Sequence, residues 1–97
     1  MDDRIECIAR LRESLPYIQK EYGVTGITLF GSMARGDNSP DSDVDLLVDM
    51  PPKFVFLVRL KDYLESILQR SVDLIHHHSP MNPRFLNEVF RDGITIL

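Results

Sequence analysis

Between Asp43 and Asp49 apolar and acidic side chains alternate, with Val44, Leu46 and Val48 set against Asp43, Asp45, Leu47 and Asp49. Successive side chains of a strand point to opposite faces, so this run predicts a strand with one face in a core and the other lined by carboxylates. Such a strand needs partners in a sheet and a cover for its apolar face. The neighbouring sequence offers both. Gly26-Ile-Thr-Leu-Phe30, rich in β-branched and aromatic residues and closed by Gly31, and Val72-Asp-Leu-Ile-His76 predict two more strands. Ile5, Ile8, Leu11, Leu15 and Ile18 recur every three or four residues and predict an amphipathic helix ahead of the first strand. Asp3 followed three residues later by Glu6 resembles a capping box, Gly23 offers a left-handed stop, and Pro16 is expected to kink or split this helix.

A second helix, carrying Leu57, Leu60, Leu64 and Ile67, is expected after Pro51-Pro52, and a third begins at the cap pair Asn82-Pro83 and carries Leu86, Val89 and Phe90. Gly93 ends it, and Ile94 to Leu97 can add a short edge strand. Met33 to Arg35 predict a brief helical turn, and Gly36 to Ser42 is turn chemistry throughout. The alternation of helices and strands predicts the α/β class, α+β in its details: a small mixed sheet of three to four strands flanked by helices, in one domain over residues 1–97.

The longest apolar run, Phe54 to Val58, is far short of the roughly 20 residues a membrane span requires. An acidic start with no apolar stretch behind it is unlike a secretory signal, which points to the cytoplasm. The lone Cys7 has no intramolecular disulfide partner and no neighbours for a zinc site, and beside Ile8 it reads as a small core residue. The net charge is −4, and the acid is concentrated: five aspartates, Asp37, Asp41, Asp43, Asp45 and Asp49, fall within thirteen residues. That segment repels nucleic acid unless cations intervene.

Asp43 and Asp45 project from the same strand face with Cα atoms about 6.5–7 Å apart. Taken alone, an Asp-x-Asp pair is more often a solvated strand face than a site. Asp73 stands in an equivalent Val-Asp-Leu-Ile setting on the next strand, so a third carboxylate can reach the same edge. Clustered carboxylates repel, and a hard divalent cation such as Mg²⁺, which takes oxygen ligands and carries substrate phosphates with it, relieves the repulsion. Ahead of the pair, Phe30-Gly31-Ser32 breaks a strand into a turn whose main-chain amides suit phosphate oxygens, with Ser32 able to donate one more hydrogen bond. In isolation Gly31-Ser32 is simply a turn, and Arg35 is either a phosphate-binding guanidinium or a surface arginine.

Several familiar motifs fail on spacing. Gly31 to Gly36 has the gap of a P-loop, but Asp37 stands where its lysine belongs. Asp41 to Asp45 imitates the start of an EF-hand loop, yet Leu46 replaces the turn glycine and Pro52 the bidentate glutamate. Ser32 lacks the flanking glycines of a hydrolase elbow. His76, His77 and His78 alternate faces on a strand and do not converge easily on one ion, which leaves a contact with nucleotide or partner, or an exposed strand end.

Gly31-Ser-Met-Ala-Arg-Gly36, a short loop, and Ser42-Asp-Val-Asp-Leu-Leu-Val48 together resemble the signature of the DNA polymerase β-type nucleotidyltransferase superfamily. The length and the Phe-Gly-Ser-x-Ala-Arg-Gly form are similar to its minimal nucleotidyltransferases, commonly antitoxins paired with a HEPN-domain toxin. The resemblance covers residues 24–76 best. It implies the nucleotidyltransferase fold, ATP as substrate, a nucleotide held at Gly31 and Ser32, and two Mg²⁺ ions on Asp43, Asp45 and Asp73, which are also the catalytic residues; Arg35 and Ser42 beside them are added as candidate nucleotide contacts. It further implies transfer of AMP to a hydroxyl, a tyrosine of a cognate HEPN ribonuclease toxin, within a hetero-oligomer, because larger relatives carry an extra domain for their acceptor. The rivals are an antitoxin that works by occlusion alone and a nucleotidyltransferase acting on a small molecule or RNA. The acidic surface disfavours the RNA substrate.

Overall fold

The computed structural model describes residues 3–78 and 80–97. Asp2 lies outside the described residues. The chain runs α1 (Asp3–Tyr22), β1 (Gly26–Phe30), α2 (Gly31–Arg35), β2 (Val44–Asp49), α3 (Phe54–Leu68), β3 (Val72–His76), α4 (Pro83–Asp92) and β4 (Ile94–Thr95). The four strands form one mixed sheet in the order β3-β2-β1-β4. β1 lies antiparallel to β2 and to β4, while β2 and β3 are parallel. A parallel pair needs a crossover, and α3 supplies it.

The alternation in β2 divides the molecule. Val44, Leu46 and Val48 are wholly buried with Leu11 and Ile18 of α1 and Leu60 and Leu64 of α3. Each such side chain contributes about 1.5–3 kcal/mol on burial, which is what holds the two long helices on this face. The opposite face carries Asp45 and, across the pairing with β1, Phe30 and Thr28. α4 packs on that face against β1: Phe85 meets the Phe30 ring edge-on at 5.8 Å, and Gly93 packs on the Thr28 methyl. On β2, Leu47 is buried on this face, whereas Asp45 is only partly buried.

Most of the expected elements are present, with four differences of physical interest. Pro16 does not split α1, which is continuous from Asp3 to Tyr22. Leu11, Ser14, Ile18 and Tyr22 are buried on both sides of the proline, and packing along that face outweighs one missing amide donor. Asp3 lies in the first turn of α1, and its carboxylate accepts from Arg70 Nη2 at 2.7 Å and Asn38 Nδ2 at 3.3 Å, while Glu6 pairs with Arg10. β2 starts at Val44, so Asp43 sits one residue before the strand, in the end of the loop. β4 has only two ladder residues, after which the amides of Ile96 and Leu97 both donate to the Ile27 carbonyl. At the start of α4 the cap is as expected: Asn82 Oδ1 accepts from the Arg84 amide at 2.9 Å, with Pro83 at the first helical position. Cys7 is buried, and burial pushes its thiol up to about 11. Among the described residues no helix is long and apolar enough to cross a membrane.

Candidate active site

β1 runs directly into α2 at Gly31, whose φ of +74° lies in the left-handed region that glycine tolerates best. Phe30, the last residue of β1, pairs with Asp45 of β2. The turn therefore lies against the Asp45 side chain so closely that a Cβ at Gly31 would overlap Asp45 Oδ2. Sheet register then places Asp73 of β3 directly beside Asp45 on the same face. Asp43 is exposed just ahead of β2. Two strands and a loop end thus deliver three carboxylates to one open edge of the sheet, next to a turn made of bare backbone.

The electrostatics agree with that placement. Partial burial, then the neighbouring charges of Asp73 and Asp43, push the Asp45 carboxyl above its ordinary value, and the Arg35 guanidinium offsets part of the rise. Among the described residues no three His, Cys, Asp or Glu side chains are gathered closely enough to hold an ion. Like charges sharing an edge repel one another, and a bound cation relieves that repulsion. An all-carboxylate oxygen set suits Mg²⁺, which binds through one or two protein carboxylates plus substrate phosphates and needs no closed protein cage.

The remaining expected residues are placed as follows. Ser32 is half-buried in α2, and its carbonyl accepts the amides of Gly36 and Asp37, which fixes where the loop leaves the helix. Arg35 lies on the surface with Nε on Asp37 Oδ2 at 3.1 Å. Ser42 Oγ accepts from the Ser39 amide at 2.8 Å and closes the turn before Asp43. The histidines serve the strand end: His76 Nε2 lies 2.8 Å from the Met50 carbonyl, His77 Nδ1 lies 2.6 Å from Asp49 Oδ1, and His78 is exposed. The His76 and His78 rings lie 6.4 Å apart while His77 turns to Asp49, and among the described residues no three ligating side chains gather around an ion.

One residue of this region was not singled out from the sequence. Arg70, in the short link between α3 and β3, holds the loop ahead of Asp43 by its carbonyls. A lone arginine just before a half-buried strand that carries an acidic residue is the local sign of it.

The sequence matches the family model described as Nucleotidyltransferase domain over residues 10–94. The chain belongs to that family. A relative from Methanocaldococcus jannaschii, provisionally named a protein adenylyltransferase, is 35% identical over 88 residues, covering 89% of this chain and 90% of that protein. The solved structure of a protein provisionally named a minimal nucleotidyltransferase superposes with a TM-score of 0.76 at 33% identity, over 97% of this chain and 95% of that one. The same fold occurs in a complex of a tri-AMPylated Shewanella oneidensis HEPN toxin with its MNT antitoxin, with a TM-score of 0.59 and 23% identity over 98% of this chain and 69% of that one. This nucleotidyltransferase thus carries its acidic edge and Gly31-Ser32 turn on the minimal version of the fold.

Proposed function

We propose that this nucleotidyltransferase moves AMP from ATP onto a protein hydroxyl, a tyrosine of a cognate HEPN ribonuclease toxin, and thereby acts as its antitoxin in the cytoplasm. The observation that carries the reading is the register that sets Asp73 beside Asp45, against a Gly31 turn with no room for a side chain. The adenylyltransferase name of the M. jannaschii relative supports AMP as the transferred group, and the tri-AMPylated toxin in the S. oneidensis complex supports a HEPN acceptor.

Gly31, Ser32, Arg35 and Ser42 form the nucleotide side of the site. Asp43, Asp45 and Asp73 would hold Mg²⁺, two ions in this reading, with Asp73 nearest the acceptor. When bound, the ions neutralise the triphosphate and lower the pKa of the acceptor hydroxyl. The acceptor oxygen bonds to the α-phosphorus as the bond from that phosphorus to the oxygen bridging the β-phosphate breaks. Pyrophosphate departs, and the hydroxyl proton passes to Asp73. The protein contributes position and charge and forms no covalent bond of its own.

The rival reading is an antitoxin that neutralises by occlusion without catalysis. Metal dependence separates the two. Three carboxylates and a triphosphate do not approach one another without counter-charge, so calorimetry is expected to find ATP binding with Mg²⁺ and none after chelation with EDTA. Tight ATP binding in EDTA would overturn the proposed site.

A further inference from the structure

Asp43 is the least anchored of the three carboxylates by its own side chain, being exposed and outside the strand. Its main chain is nevertheless tied on both sides to the same short segment. On one side, Arg70 Nη1 reaches the carbonyls of Ser39 at 3.3 Å, Pro40 at 3.1 Å and Ser42 at 3.1 Å. On the other, the Val44 amide donates to the carbonyl of Ser71 at 2.9 Å. Two residues further on, Asp73 sits in β3. The second arm of the guanidinium, Nη2, bonds Asp3 Oδ2 at 2.7 Å, and the same carboxylate takes Asn38 Nδ2 from the loop. The Arg70 side chain is only 18% exposed. A planar fork that satisfies several acceptors at once loses less freedom per bond than a lysine ammonium, and charge-assisted bonds to carbonyls are stronger than neutral ones.

We propose that Arg70 is a positioning residue for the acidic site: its guanidinium fixes the Ser39–Ser42 turn, and with it Asp43, at a set distance from Asp73, so that the two carboxylates from separate elements can share a metal-nucleotide ligand. The inference rests on the metal-binding reading given above and adds to it a residue that touches neither metal nor nucleotide. Loss of the clamp leaves all three carboxylates in the chain but lets the loop carry Asp43 away from β3.

The test uses the full chain with Arg70→Met, and Arg70→Lys in case the first variant does not fold. Amide hydrogen exchange of the metal-free protein reads the clamp itself: Ser42 and Val44 amides are expected to exchange about tenfold faster in Arg70→Met, with α1 and α3 core amides unchanged. Mn²⁺ binding by electron paramagnetic resonance, in the presence of a non-hydrolysable ATP analogue, reads the consequence. Arg70→Met is expected to bind Mn²⁺ about tenfold more weakly, with Arg70→Lys between it and the wild type. A role in stability alone would lower Tm without moving the Mn²⁺ affinity of the folded protein. Unchanged exchange at Ser42 and Val44, or wild-type Mn²⁺ affinity in either folded variant, overturns the inference. A wild type that binds no Mn²⁺ with the analogue overturns the metal-binding reading instead, and the exchange result then decides on the clamp by itself.

Discussion

Asp45→Asn is expected to lower AMP transfer by about 10²–10³-fold while leaving the protein folded and more stable in metal-free buffer. Asparagine keeps the size of the side chain and its place beside Gly31 but removes the charge that would meet a cation. The stability effect follows from the raised Asp45 carboxyl, caused first by burial and then by Asp73 and Asp43. A group whose value is raised on folding holds its proton more tightly in the native state than in the unfolded chain. Ionising it therefore costs stability, and the cost grows as pH rises from the ordinary carboxylate range through the raised value. Above the raised value the whole cost is present, so there the variant should melt above the wild type, and the difference should close as pH falls below the ordinary carboxylate range, where both states of the wild type are protonated. Thermal melts across that range, together with transfer assayed with labelled ATP, check both parts. Near-normal transfer by Asp45→Asn, or by Asp43→Ala, would show that these carboxylates do not hold the ions.

Gly31→Ala is the second large effect. An L-residue at a φ of +74° is strained by roughly 1–2 kcal/mol. Here the added methyl would also overlap Asp45 Oδ2, so either the turn or the carboxylate has to move. A displacement of about 1 Å in a group that positions reactants can cost about 10²-fold in rate. Transfer should thus fall by about that factor, with a lower Tm to distinguish it from Asp45→Asn, whose Tm rises. The opposite signs of the two stability changes are the useful contrast, because both variants lose activity at the same place. Wild-type transfer by Gly31→Ala would mean that the turn does not approach the reacting phosphate.

Much of this architecture is legible in local sequence because its causes are local. The two-residue period of Val44, Leu46 and Val48 sets the buried face of β2, Asn82-Pro83 starts α4 through an Asx cap, and Gly23 ends α1 with a φ of +69°. The Gly31-Ser32 turn and the two acidic strands are legible for the same reason, since each is a short run with a fixed geometry. Contacts between distant segments were not. Arg70 bonds to residues 28 to 31 positions away and to Asp3 at 67 positions, separations at which no periodic pattern survives. Pro16 does not break α1, because the local rule counts one lost hydrogen bond and takes no account of the buried side chains on both sides of it. The placement of Asp43 just outside β2 is another tertiary outcome: the ladder begins where Val44 meets Val72, and Asp43 is left to the loop that Arg70 holds.

Catalysis and occlusion separate most directly by stoichiometry. A HEPN ribonuclease partner is titrated with small amounts of this chain in ATP and Mg²⁺, and both ribonuclease activity and the intact mass of the toxin are followed. An enzyme turns over, so far less than one equivalent should silence all of the toxin, each toxin molecule should gain the mass of one or more AMP units, and Asp45→Asn should do neither. Neutralisation only near one equivalent, equal for wild type and Asp45→Asn and with no gain in mass, would contradict the catalytic account.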